Sequence, residues 1–142
     1  MNISFGAVRD ERLDVMEVVS QFTFLMDHGK AEEMSSCFTS SVNINGNTVP
    51  LDSMIKIIAG IQSKYAHTQH LTGNSIISCN GDVATAKTQV RAMHKKKPEH
   101  GGDIYHMIGW YDDKLVRTPD GWRIAERILN IDWEEGEKAP NP

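Results

Sequence analysis

The residues best equipped for chemistry in this chain are two histidines and one oddly placed carboxylate. Histidine titrates near neutral pH and is the commonest general base. His70 stands in the run His67-Thr68-Gln69-His70-Leu71-Thr72-Gly73-Asn74, where a helical pattern gives way to strands, and His94 ends a strictly alternating stretch. Asp27 falls in the last turn of a predicted helix, where a negative charge opposes the macrodipole at a cost of roughly 0.3–1 kcal/mol. Either it is a solvated helix end, or another group holds it there. A carboxylate bound to one imidazole nitrogen fixes the tautomer and stabilises the imidazolium. Asp27, His70 and His94 are therefore a candidate set for general acid–base catalysis. The competing reading makes both histidines satisfied residues of the core or its rim.

Other chemistries fare worse. His67 and His70 form an H-x-x-H pair, but on a strand those two side chains point to opposite faces. His94, His100 and His106 are spread across a turn, and no tetrahedral or thiolate set accompanies them, so no metal is expected. No glycine-rich phosphate loop and no G-x-S-x-G elbow is present, which argues against nucleotide cofactors and serine hydrolysis. The expectation is a site that works without a cofactor.

Bulk composition narrows the partners. Fifteen Lys and Arg stand against nineteen Asp and Glu, a net charge of −4 over 142 residues, so nucleic acid is not an expected partner. The one basic run, Lys95-Lys96-Lys97, precedes Pro98 and reads as a solvated turn. No apolar run is long enough to span a bilayer, and the N-terminus lacks the pattern of a signal peptide. Cys37 and Cys79 lie far apart, and nothing suggests secretion, so a cytoplasmic, reduced protein is expected. The length suits one domain, with a loose acidic tail from about Glu134.

The elements that must position the candidates follow from periodicity. Val15, Val18, Val19, Phe22, Leu25 and Met26 predict a helix over about Asp10–His28, with Gly29 as its left-handed C′ residue. A short second helix is expected over Lys30–Cys37, then a brief strand, Val42–Asn45, and a turn at Asn45-Gly46-Asn47. Pro50 suits the first position of a third helix running to about Tyr65. From His67 the period becomes two. Asn80-Gly81-Asp82 is the strongest hairpin signal in the chain. Ala84, Ala86, Thr88, Val90, Ala92 and His94 then share one strand face, which should be the inner one, and their small size predicts room for a cavity. Turns at Glu99–Gly102 and Thr118–Gly121 bound a strand Ile104–Arg117 and a last strand Trp122–Trp133. Three helices followed by about four long antiparallel strands make an α+β protein.

In Leu25-Met26-Asp27, Thr68-Gln69-His70-Leu71-Thr72-Gly73-Asn74, Gly81-Asp82-Val83-Ala84, Ala92-Met93-His94 and Leu115–Ile124, closed by Trp133, the sequence resembles the SnoaL-like branch of the NTF2-like superfamily. In motif it is similar to the scytalone dehydratase and hexachlorocyclohexane dehydrochlorinase types. The resemblance implies a cone-shaped α+β barrel, with helices packed on a curved, mainly antiparallel sheet around a pocket. It implies a cofactor-independent lyase or isomerase acting on a hydrophobic cyclic small molecule. The family's catalytic Asp and His fall on Asp27 and His70, and the dehydratase's second pocket His falls on His94. The dehydratase's substrate-binding Asn falls on Tyr111, whose phenol can donate in its place. Two tyrosines of the dehydratase are replaced here by Met26 and Gly46, so the implied reaction is a base-initiated elimination or isomerisation rather than the scytalone reaction itself. The same superfamily includes non-catalytic binders and assembly modules, and its members form homodimers or homotrimers.

Overall fold

The computed structural model describes residues 10–141. Helix α1 (Glu11–Asp27) is capped by Asp10, whose side chain accepts the Arg12 N–H. It ends where Gly29, at φ +68°, turns the chain and Lys30 N–H reaches back to the Leu25 carbonyl at 3.0 Å. The expected second helix is a tighter 3-10 turn, Ala31–Ser36, which gives way to strand β1 (Phe38–Ile44). A short strand β2 (Asn47–Pro50) had no signal of its own in the sequence. Helix α2 (Leu51–Ser63) follows, with Pro50 as its N-cap rather than its first turn, and it stops two residues earlier than expected. Among the described residues, three helices thus precede the long strands, two of them α-helices and one a 3-10 helix.

Four long strands complete the fold: β3 (Tyr65–Asn80), β4 (Val83–Lys96), β5 (Ile104–Thr118) and β6 (Gly121–Glu135). The sheet is six-stranded and curved, in the order β2-β1-β6-β5-β4-β3. Every neighbouring pair is antiparallel except β1 with β6. Among the described residues its ladder ends at β2 and β3, and no strand pairing there closes it into a barrel.

The alternation in β4 is as the sequence dictates, with Ala84, Ala86, Thr88, Val90, Ala92 and His94 all buried. The small residues do not create the cavity, however. Helix α1 packs chiefly across β3, and Ala86 and Ala92 are fully buried in the one core cluster beneath it. None of the three alanines of this face lines the cavity described below. Glu134 and Glu135 pair with Met107 and His106 as part of β6, and Ala139 is buried.

Candidate active site

Asp27 ends α1 directly beside β3, and the strand supplies every partner that explains its position. His70 Nδ1 lies 2.6 Å from Asp27 Oδ1, the His70 backbone N–H donates to Oδ2 at 2.7 Å, and the Thr68 hydroxyl donates to Oδ1 at 2.9 Å. A carboxylate that only accepts requires the proton on Nδ1, which leaves Nε2 as the basic nitrogen. Both side chains are largely buried, with 5% of His70 and 12% of Asp27 exposed. Burial alone would raise the Asp27 pKa. The hydrogen bonds and charge of His70, with the Thr68 hydroxyl, outweigh it and hold the carboxyl below its ordinary value. The helix-end charge is thus held by three donors from one strand.

His94 lies edge-on to His70, ring centroids 5.4 Å apart, and is flanked by Tyr65 at 4.9 Å and Tyr105 at 5.1 Å. Burial, then the neighbouring His70 charge, push its pKa down to about 4, so it is neutral at physiological pH. Its buried Nδ1 has no hydrogen-bond partner among the described residues. His67 is exposed, on the opposite face of β3 from His70, as the strand period requires. No group of three or more His, Cys, Asp or Glu side chains among the described residues could hold a metal.

Both histidines line a cavity of about 830 Å³, walled by apolar side chains from α1 (Phe22, Met26), α2 (Met54, Ile58) and the sheet (Met107, Leu129). Tyr111 also lines it, nearly fully buried. Burial, opposed by nearby Arg127, raises its phenol to about 12, so it stays a proton-bearing donor.

Sequence reasoning missed several neighbours. Arg127, 4% exposed, pairs with the fully buried Asp113 through Nε at 2.7 Å and Nη2 at 2.8 Å. Its guanidinium lies 3.9 Å from the Tyr111 ring centre and 4.3 Å from that of Phe22, so it stiffens this wall of the cavity. The spacing of Thr68 and His70, two apart on one strand face, was the available signal for Thr68. Tyr65, Tyr105 and the segment Lys138–Asn141 also line the cavity.

Known proteins share this architecture. An uncharacterized protein of Mycobacterium tuberculosis is 26% identical over 129 residues, covering 83% of each chain. The crystal structure of a Kribbella flavida protein superposes with a TM-score of 0.86 at 25% identity, over 89% of this chain and 93% of that one. A candidate scytalone dehydratase of Novosphingobium aromaticivorans gives 0.80 at 20% identity, over 93% and 92%. A hexachlorocyclohexane dehydrochlorinase gives 0.74 at 14% identity, over 92% and 93%. Residues 8–128 match the SnoaL-like domain, and the chain is a member of that family within the NTF2-like superfamily.

Proposed function

We propose that this protein is a cofactor-independent lyase or isomerase for a hydrophobic cyclic small molecule. One observation carries the reading: an Asp–His pair at hydrogen-bond distance, its base nitrogen unclaimed by the carboxylate, on the wall of a mainly apolar cavity. His70 Nε2 takes a proton from carbon next to an activating group. The released electron pair forms a double bond, and the step ends either in departure of a leaving group or in reprotonation elsewhere on the ring. Asp27 orients His70 and stabilises the imidazolium. Neutral His94 polarises a substrate oxygen or leaving group by hydrogen bonding rather than as an acidic imidazolium, since its low pKa leaves it uncharged. That neutrality also spares the charged His70 a like neighbour. Tyr111 donates to the substrate.

The fold relationship supports this reading without specifying the reaction, because one fold hosts many activities. The chain acts as one domain in the cytoplasm and self-associates as a homodimer or homotrimer through the outer sheet face, where Trp133 is 54% exposed and Ile128 38%. The test is a panel of cyclic substrates for elimination or isomerisation. Turnover that falls roughly 10²–10⁴-fold in His70→Ala supports the assignment. Full turnover in that variant refutes it. Tight binding with no conversion of any compound would identify a binder instead.

A further inference from the structure

Past the end of β6, Gly136 redirects the chain. It sits at φ +81°, and a Cβ there would come within 2.4 Å of the Ile104 carbonyl oxygen. The following residues cross the cavity, and Lys138, Ala139, Pro140 and Asn141 all line it. This crossing is held by few contacts. The Ala139 N–H donates to the Tyr65 hydroxyl at 3.2 Å, Asn141 accepts from Lys64, and Lys138 pairs with Glu134 at 3.1 Å. Glu134 in turn accepts from the Tyr105 hydroxyl. Only Ala139 of the four is buried.

Tyr65, which accepts from this segment, and Tyr105, whose ring lies under Lys138 at 5.6 Å, are the two tyrosines that flank His94. We propose that residues 137–141 form a clasp across the cavity, and that Tyr65 and Tyr105 are positioning residues that pass the state of the clasp to His94. When the clasp is seated, Ala139 fixes the Tyr65 phenol, Lys138 pairs with the Glu134 that accepts from the Tyr105 hydroxyl, and His94 is packed between the two rings. When it lifts, Tyr65 loses its partner, the cavity opens at that end, and water reaches the imidazole. Ligand access and the environment of the second histidine then change together. This rests on the cavity being the ligand site.

The groups that face His94 define what its titration reports. His70 and Tyr65 come from β3, Tyr105 and His106 from β5, and Asp27 from α1. Glu134 and Lys138 act at one remove through Tyr105. Of these, Tyr65→Phe changes only the hydroxyl that receives Ala139 and keeps the ring that packs on His94.

The experiment uses the full chain, labelled for NMR, as wild type and Tyr65→Phe. In wild type the Ala139 amide should exchange with solvent far faster than the Val90 amide of β4, a strand paired on both sides. In Tyr65→Phe its exchange should rise a further fivefold or so, the share of one neutral hydrogen bond. The His94 acid dissociation should shift toward neutral pH, by about threefold or more in its constant. Ala139 exchanging as slowly as Val90 would overturn the clasp, because the segment would then move only with global unfolding. Faster Ala139 exchange with an unmoved His94 titration would overturn the coupling. Neither readout needs a substrate, so they separate failure of the clasp from failure of the enzymatic reading, which turnover in His70→Ala decides.

Discussion

Asp27→Asn replaces one oxygen by an NH₂ in a site built from three donors, and the hydrogen-bond geometry limits the outcomes to two. Oδ1 accepts from the His70 ring and from Thr68, and Oδ2 from the His70 backbone. If the amide oxygen keeps the ring and Thr68, its NH₂ faces the backbone N–H at a distance set for a 2.7 Å hydrogen bond, donor against donor. If the amide oxygen turns to the backbone N–H, the NH₂ faces Nδ1 and Thr68. The Thr68 hydroxyl can rotate to accept, and Nδ1 can accept once its proton moves to Nε2. The second arrangement leaves no donor–donor conflict and is the expected one. It removes the basic lone pair from Nε2. The fold should survive with a loss of roughly 1–3 kcal/mol, typical for hydrogen bonds to a charged group. Turnover should fall roughly 10²–10⁴-fold. The assay is the nitrogen chemical shift of the His70 ring at neutral pH, read beside turnover. An Asp27→Asn protein that keeps the His70 proton on Nδ1 and retains its activity would refute the reasoning.

Two further predictions concern pH and the polar core. His94 has its pKa depressed from 6.5 to about 4, so the unfolded chain takes up a proton over that interval while the folded one does not. Stability should be full above pH 6.5 and fall by about 3 kcal/mol as pH drops to 4, a slope that His94→Gln flattens in urea titrations at stepped pH. The Asp27 carboxyl, held below its ordinary value, adds a loss only at lower pH, below about 4. Asp113→Asn leaves the buried Arg127 charge uncompensated and should cost about 3–5 kcal/mol by chemical denaturation. The double variant Asp113→Leu/Arg127→Met should recover most of that loss, and a double variant no more stable than the single one would contradict the argument.

Much of the site is legible in the sequence because its carriers obey simple periods. β4 alternates without interruption, so the inward face of His94 follows from counting by two. Asp27 stands out because it breaks the charge preference of a helix end, and the structure supplies three donors as the reason. Arg127 is hidden by a β-bulge. Trp122 and Ile124 point inward, then the register slips opposite Lys114 and Leu115, and from there the odd-numbered Arg127 and Leu129 face inward. That extra residue flips the side chains that follow it, until a second slip opposite Ile108 and Gly109 flips them back, and apolar Ile128 between Arg127 and Leu129 blurs the pattern. The second helix departs from expectation because Ala31–Ser36 has helical composition but only six residues before β1, too few for an α-helix to gain much beyond its nucleus. The course of residues 137–141 along the cavity has no local signal either, because it depends on tertiary contacts to Tyr65 and Lys64.

The parallel pairing of β1 with β6 has a bearing on how quickly the molecule assembles. Thr39 and Ile124, joined across that seam, are 85 positions apart. Antiparallel β3 to β6 are joined by turns and can zip as hairpins, each turn seeding the next ladder. Strand β1 has only the short hairpin to β2 and must wait for the last strand to gain its other neighbour. Contacts this distant in sequence slow the search, since loop-closure entropy is spent before any gain is returned. On a ribosome, β1 and its hairpin partner β2 emerge early, but β1 acquires its second sheet partner, β6, last. Refolding experiments should therefore show the β3–β6 amides protected early, with protection of Phe38–Ile44 arriving in a later, slower phase.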